Sequence, residues 1–120
     1  MIRNFDLEDR LIDFATECIK LFNNVERLYA LEHLMKPLIR SSTGAALNYG
    51  EAQGAESERD FIHKIGIVLK ELKESRVNLK IQLKAGLTND IENAKSALTE
   101  SEELVAIFAK SLRTAKTKKS

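Results

Sequence analysis

Asp60 and His63 stand three residues apart in Asp-Phe-Ile-His, a spacing that puts a carboxylate and an imidazole on one helix face. Such a pair suits proton transfer or metal ligation. Di-iron bundles use Glu-x-x-His on two helices together with two further glutamates. This chain has only two histidines, and His33 has Glu32 beside it instead of one turn away. Half of that ligand set is missing, so no metal or cofactor is expected. Asp60 is expected instead to pair with Lys64 at i+4, or to serve the start of its helix. Cys18, the single cysteine, lies in an apolar stripe and reads as a buried thiol, because a nucleophile needs an activating neighbour. There is no Walker-type glycine loop and no Gly-x-Ser-x-Gly elbow. With no nucleophile, base and orienter assembled, no catalytic residue is assigned and no enzyme is expected.

The most unusual stretch is Arg40-Ser41-Ser42-Thr43-Gly44-Ala45-Ala46-Leu47-Asn48-Tyr49-Gly50-Glu51-Ala52. Small residues in a helix interior allow a neighbouring helix to come close, and the polar residues among them then find room for contacts. Arg40, Ser41, Gly44, Asn48 and Glu51, with Asp60 and Lys64, are therefore assigned to packing between helices or between subunits rather than to a ligand groove.

The elements that must carry these residues are helices. Gly totals 5 and Pro 1, and no stretch alternates with period two. Leu7, Leu11, Phe14, Cys18, Leu21 and Val25 mark a first helix from about Asp6, the expected N-cap, to Phe22. Asn23 with Glu26 predicts the start of a second helix that runs to Gln53 and is kinked at Pro37, or else begins after it. Ser57 predicts the cap of a third, with Gly86 closing it. That helix has one stripe through Phe61, Ile65, Val68, Leu72 and Leu79 and another through Ile62, Leu69 and Leu83, so it needs two neighbours. Thr88 or Asn89 is the expected cap of a fourth, whose stripe runs from Ile91 to Leu112. Short links between long helices predict an all-α, antiparallel up-down-up-down four-helix bundle over residues 1–113, with a basic, disordered tail at 114–120.

The chain has 120 residues, the size of one domain, with 43% hydrophobic and 31% charged residues. Collagen-like, disulfide-framework and low-complexity classes are excluded. No stretch is long and apolar enough to span a bilayer. A lone cysteine and the lack of a secretory pattern fit a cytoplasmic protein. Net charge is −2 over residues 1–53, +2 over 54–86, −4 over 87–109 and +5 over the last eleven. The body is acidic. Basic charge gathers on the third helix, at Lys70, Lys73, Lys80 and Lys84, and in the tail, at Lys110, Arg113, Lys116, Lys118 and Lys119. These are the residues available for RNA phosphates. More apolar stripe than one bundle can bury predicts self-association.

The strip Arg40, Ser41, Asn48, Glu51 and Ala52, followed by Ser57, Asp60 and Phe61, resembles the pattern of the 23S ribosomal RNA intervening-sequence proteins. The resemblance extends by helix order over about residues 5–113. It implies a left-handed antiparallel four-helix bundle, commonly a ring-shaped homopentamer, without established enzymatic activity. A sister branch serves as the accessory protein of diversity-generating retroelements and binds a reverse transcriptase and RNA. That branch is clearly basic, and the acidic body here departs from it. The expectation is a non-enzymatic oligomeric scaffold that binds a macromolecule. The alternative is an RNA or ribonucleoprotein accessory acting through the basic third helix and tail.

Overall fold

The computed structural model describes residues 3–23 and 29–119. They form four helices: α1 (Arg3–Lys20), α2 (Tyr29–Gln53), α3 (Glu58–Ala85) and α4 (Ile91–Lys119). No strand occurs among the described residues. Helix α3 touches both α2 and α4, while α1 packs on α2 and, more sparsely, on α4. Among the described residues the backbones of α1 and α3 are not adjacent, and the two helices share only the core between them. The core is a single cluster. Leu11, Phe14 and Cys18 of α1 meet Leu38, Ala45 and Tyr49 of α2, Ile65, Val68, Leu72 and Leu79 of α3, and Ala94, Leu104 and Phe108 of α4. The molecule is 49 Å long and 20–23 Å across.

Cross-helix partners give the chain directions. Glu51, Arg40, Ser41 and Leu34 of α2 contact Lys64, Glu71, Ser75 and Asn78 of α3. From the Glu51–Lys64 pair to the Leu34–Asn78 pair the numbers fall along α2 while they rise along α3, so these two helices run in opposite senses. Helix α3 has the two neighbours that its two apolar stripes call for.

Local chemistry sets the ends. Ser57 is extended, and its hydroxyl accepts from the Asp60 N–H at 3.0 Å, which starts α3. Gly86 closes α3 at φ 67, a left-handed conformation suited to glycine. The Leu87 N–H reaches Gln82 O and the Gly86 N–H reaches Leu83 O, so orphan carbonyls of the last turn are satisfied.

Several boundaries differ from the sequence expectations. Helix α1 begins at Arg3, before Asp6, because nothing in residues 3–5 breaks a helix, and it ends at Lys20 in a turn over Leu21–Asn23. Most of the expected Asn23–Glu26 capping pair, and Val25 and Leu28, lie outside the described residues. At Pro37 the first of the two readings holds: α2 passes through the proline and ends at Gln53, as expected. Helix α4 is capped by Asp90, not by Thr88 or Asn89. The Asp90 carboxylate accepts from the Asn93 N–H, whereas Thr88 Oγ1 accepts from the Asp90 N–H and turns the chain before the helix. Ile91, the first residue of α4, is exposed rather than part of its buried stripe. Helix α4 also continues through Thr114–Lys119, the stretch expected as a disordered tail. That stretch lacks apolar residues beyond Ala115 but also lacks Gly and Pro, and Ala and Lys are strong helix formers.

Candidate functional site

The small-residue strip of α2 faces α3, and its polar members are used along that seam. The Arg40 guanidinium donates to Glu71 at 3.5 Å and pairs with Glu74. One turn deeper, Ser41 Oγ and Ser75 Oγ lie 2.6 Å apart, both fully buried. Gly44 sits against the Glu71 carboxylate, where an added Cβ would lie 2.8 Å from Oε2. Glu51 accepts from Lys64 at 2.5 Å. The Asn48 amide turns back to its own helix and donates to Gly44 O at 2.8 Å. Arg40, Ser41, Gly44, Glu51 and Lys64 thus meet on one interhelical seam within the chain.

The expected Asp60–Lys64 pair is replaced by Glu51–Lys64. Asp60 contributes its backbone N–H to the Ser57 cap and only a longer-range attraction to Lys64. The hydrogen bond that Lys64 donates to Glu51 raises the Lys64 pKa, because a close carboxylate favours the ammonium form.

Sequence reasoning missed the deeper part of the seam. Ser75, Asn78 and Gln82 recur at spacings of three and four and are all buried. The Asn78 amide donates to Leu34 O at 3.0 Å. Leu34 lies in the turn before Pro37, and Asn78 gives its carbonyl a donor from another helix. Gln82 Nε2 in turn donates to Asn78 Oδ1 at 2.7 Å. The only signal in the sequence was polar residues at core register between Leu72 and Leu79 and just beyond. Arg10, also missed, clamps α1 to α4 by donating to both oxygens of Glu100, at 2.8 and 2.7 Å, and to Glu103 at 3.0 Å.

The residues that could do chemistry stay apart. His63 is exposed on α3, and His33 stacks on Tyr29 with ring centroids 6.2 Å apart. Among the described residues no group of three His, Cys, Asp or Glu side chains is placed to hold a metal ion. Cys18 is fully buried, and burial pushes its thiol up to about 12, against a weaker opposing hydrogen bond from Ser42. We therefore expect Cys18 to resist a thiol-reactive disulfide reagent in the folded protein at pH 8 and to react promptly in denaturant. Prompt reaction without denaturant would contradict its burial. The linkage has a definite sign. Between the ordinary thiol value of 9.0 and about 12, the unfolded chain has lost a proton that the folded chain keeps. The Cys18 contribution to stability therefore falls as pH rises through that window.

Two further surfaces stand out. Lys70, Lys73, Lys80 and Lys84 are all exposed on α3, and Lys110, Arg113, Lys116 and Lys118 are exposed along the end of α4. Lys119 ends α4, and its side chain lies outside the described residues. Where the C-terminal end of α2 and the start of α3 meet α1 and α4, a cavity of about 540 Å³ is lined by Leu7, Tyr49, Phe61, Ile65 and Phe108. No described helix is long and apolar enough to cross a membrane.

An all-helical fold of four helices, with its polar residues committed to binding helix to helix, defines the class of protein. The chain belongs to the 23S rRNA-intervening sequence protein family, whose model matches residues 3–110. It is similar to a solved structure from Bacteroides thetaiotaomicron, described as a protein of unknown function from the S23 ribosomal protein family. The two share 26% identity with a TM-score of 0.74, over 88% of this chain and 97% of that one. No curated protein matches the chain.

Proposed function

We propose that the protein is a non-enzymatic, self-associating scaffold: an antiparallel up-down-up-down bundle that forms a homopentamer in the cytoplasm and presents its outer surface to another macromolecule. The observation that carries this reading is apolar surface left uncovered by one chain. Leu47 is 67% exposed, Val77 50% and Ile81 46%, on helices whose inner faces are already packed. The subunit number rests on the family resemblance. Native mass spectrometry of protein purified gently from its own host tests the proposal. Whole multiples of 13.5 kDa, five if the resemblance holds, are expected. A single-chain mass at micromolar concentration would overturn it.

A second reading is an RNA or reverse-transcriptase accessory. The exposed lysines of α3 and the basic end of α4 favour it, because phosphate binding needs several cations on reachable surface. Extra mass that disappears with ribonuclease, and RNA affinity that falls steeply with salt, would support this reading. No RNA binding at low salt would remove it.

A further inference from the structure

Two exposed faces of the chain are complementary. On α3, Val77 and Ile81 are 50% and 46% exposed and are flanked by the exposed Lys70, Lys73, Lys80 and Lys84. On α1, Ile12 and Ile19 are 46% and 42% exposed and accompany the exposed Asp6, Asp9, Asp13 and Glu17. None of these lysines or acids makes an ion pair among the described residues. Lys70 to Lys84 spans about 21 Å of helix and Asp6 to Glu17 about 17 Å, at about 1.5 Å per residue, so the strips match in length. The backbones of α1 and α3 are not adjacent, so within one chain the two outer faces do not meet.

We infer that the α3 strip of one copy docks on the α1 strip of the next. This inference rests on the self-association proposed above and names the surfaces that perform it. An interface made from two different faces of the chain is head-to-tail, and such contacts propagate into a closed ring or an open filament. Apolar residues supply the contact, and the opposed charges fix partner and register. A face-to-face dimer through α3 would bring lysines against lysines, and one through α1 would bring carboxylates against carboxylates. The same lysines are then covered in the assembly, so any RNA contact falls to the end of α4.

Charge reversal tests this. Sedimentation velocity is run on the full chain, on Lys73→Glu/Lys80→Glu, on Asp9→Lys/Asp13→Lys and on a chain with all four changes, with helicity checked by circular dichroism. All four altered positions are exposed, and retained helicity is expected. Each two-site variant is expected to fall to monomer, because two of its four charge pairs become repulsive, and the four-site variant to reassemble, because the exchanged central charges attract again. A two-site variant that keeps the parental mass overturns the inference, as does a four-site variant that stays monomeric. Reassembly of the four-site variant also answers any partial loss of helicity in the two-site chains. If the unmodified chain is itself monomeric, the self-association reading fails and this inference fails with it. If the α3 variant keeps its mass but loses binding to a homopolymeric RNA, the α3 strip serves RNA, and the inference is again overturned.

Discussion

Replacing Asn78 with Ala is expected to destabilise the protein by about 2–4 kcal/mol, read from urea unfolding. The amide has two partners: it donates to Leu34 O on α2 and accepts from Gln82 Nε2 on α3. Gln82 is fully buried and its Oε1 has no partner among the described residues, so its side chain depends on the hydrogen bond to Asn78. Removing Asn78 takes the cross-helix donor from Leu34 O and leaves a buried amide on α3 without its partner, the latter alone costing about 1–3 kcal/mol. Asn78→Leu combined with Gln82→Leu is expected to recover much of the loss, since apolar replacement of both partners leaves fewer buried donors unmet. A loss below about 0.5 kcal/mol for Asn78→Ala, typical of a surface site, would show that the seam does not depend on this amide.

Phe108→Ala carries the other large effect, about 3–5 kcal/mol. Phe108 is 1% exposed and meets Tyr49 edge to face, with ring centroids 5.4 Å apart and planes at 79°. Its ring also lines the cavity at that end of the molecule, so deletion enlarges an existing space that the surrounding helices have not closed. Phe108→Leu keeps much of the volume and is expected to cost less than half as much. A thermal or urea midpoint unchanged in Phe108→Ala would contradict the placement of this ring in the core. Arg40 offers the contrast. Its side chain is 58% exposed, and exposed ion pairs contribute about 0–1 kcal/mol, so Arg40→Ala is expected to have a small effect despite two acidic partners.

The helices were legible because apolar residues repeat at three and four along each of them, and the limits of α3 because Ser57 and Gly86 each have one well-defined conformational use. The cap of α4 was not. Thr88, Asn89 and Asp90 are all good caps, and only the turn made by the Thr88 hydroxyl selects Asp90. The end of α4 was misjudged because low apolar content argues against packing, not against helix. The packing role of Arg40, Ser41 and Gly44 followed from small residues in a helix interior. Their partners Glu71, Glu74 and Ser75 did not, because a sequence stripe does not state which neighbour it meets. The partner of Lys64 illustrates the same limit. Asp60 is one turn away on the same helix, but Glu51 on α2 comes to 2.5 Å once the two helices lie side by side. The Asn78–Gln82 ladder was hidden for a related reason. Polar side chains at core register look like interruptions until their partners across and along the seam are known.

These features describe a module whose polar chemistry holds helices together and whose unsatisfied surface is apolar and charged in complementary strips. Sedimentation equilibrium of the full chain over a wide concentration range tests that description most directly. A mass near five chains of 13.5 kDa, about 68 kDa, that persists on dilution to low micromolar concentration is the predicted result. A 13.5 kDa species at every concentration would contradict it.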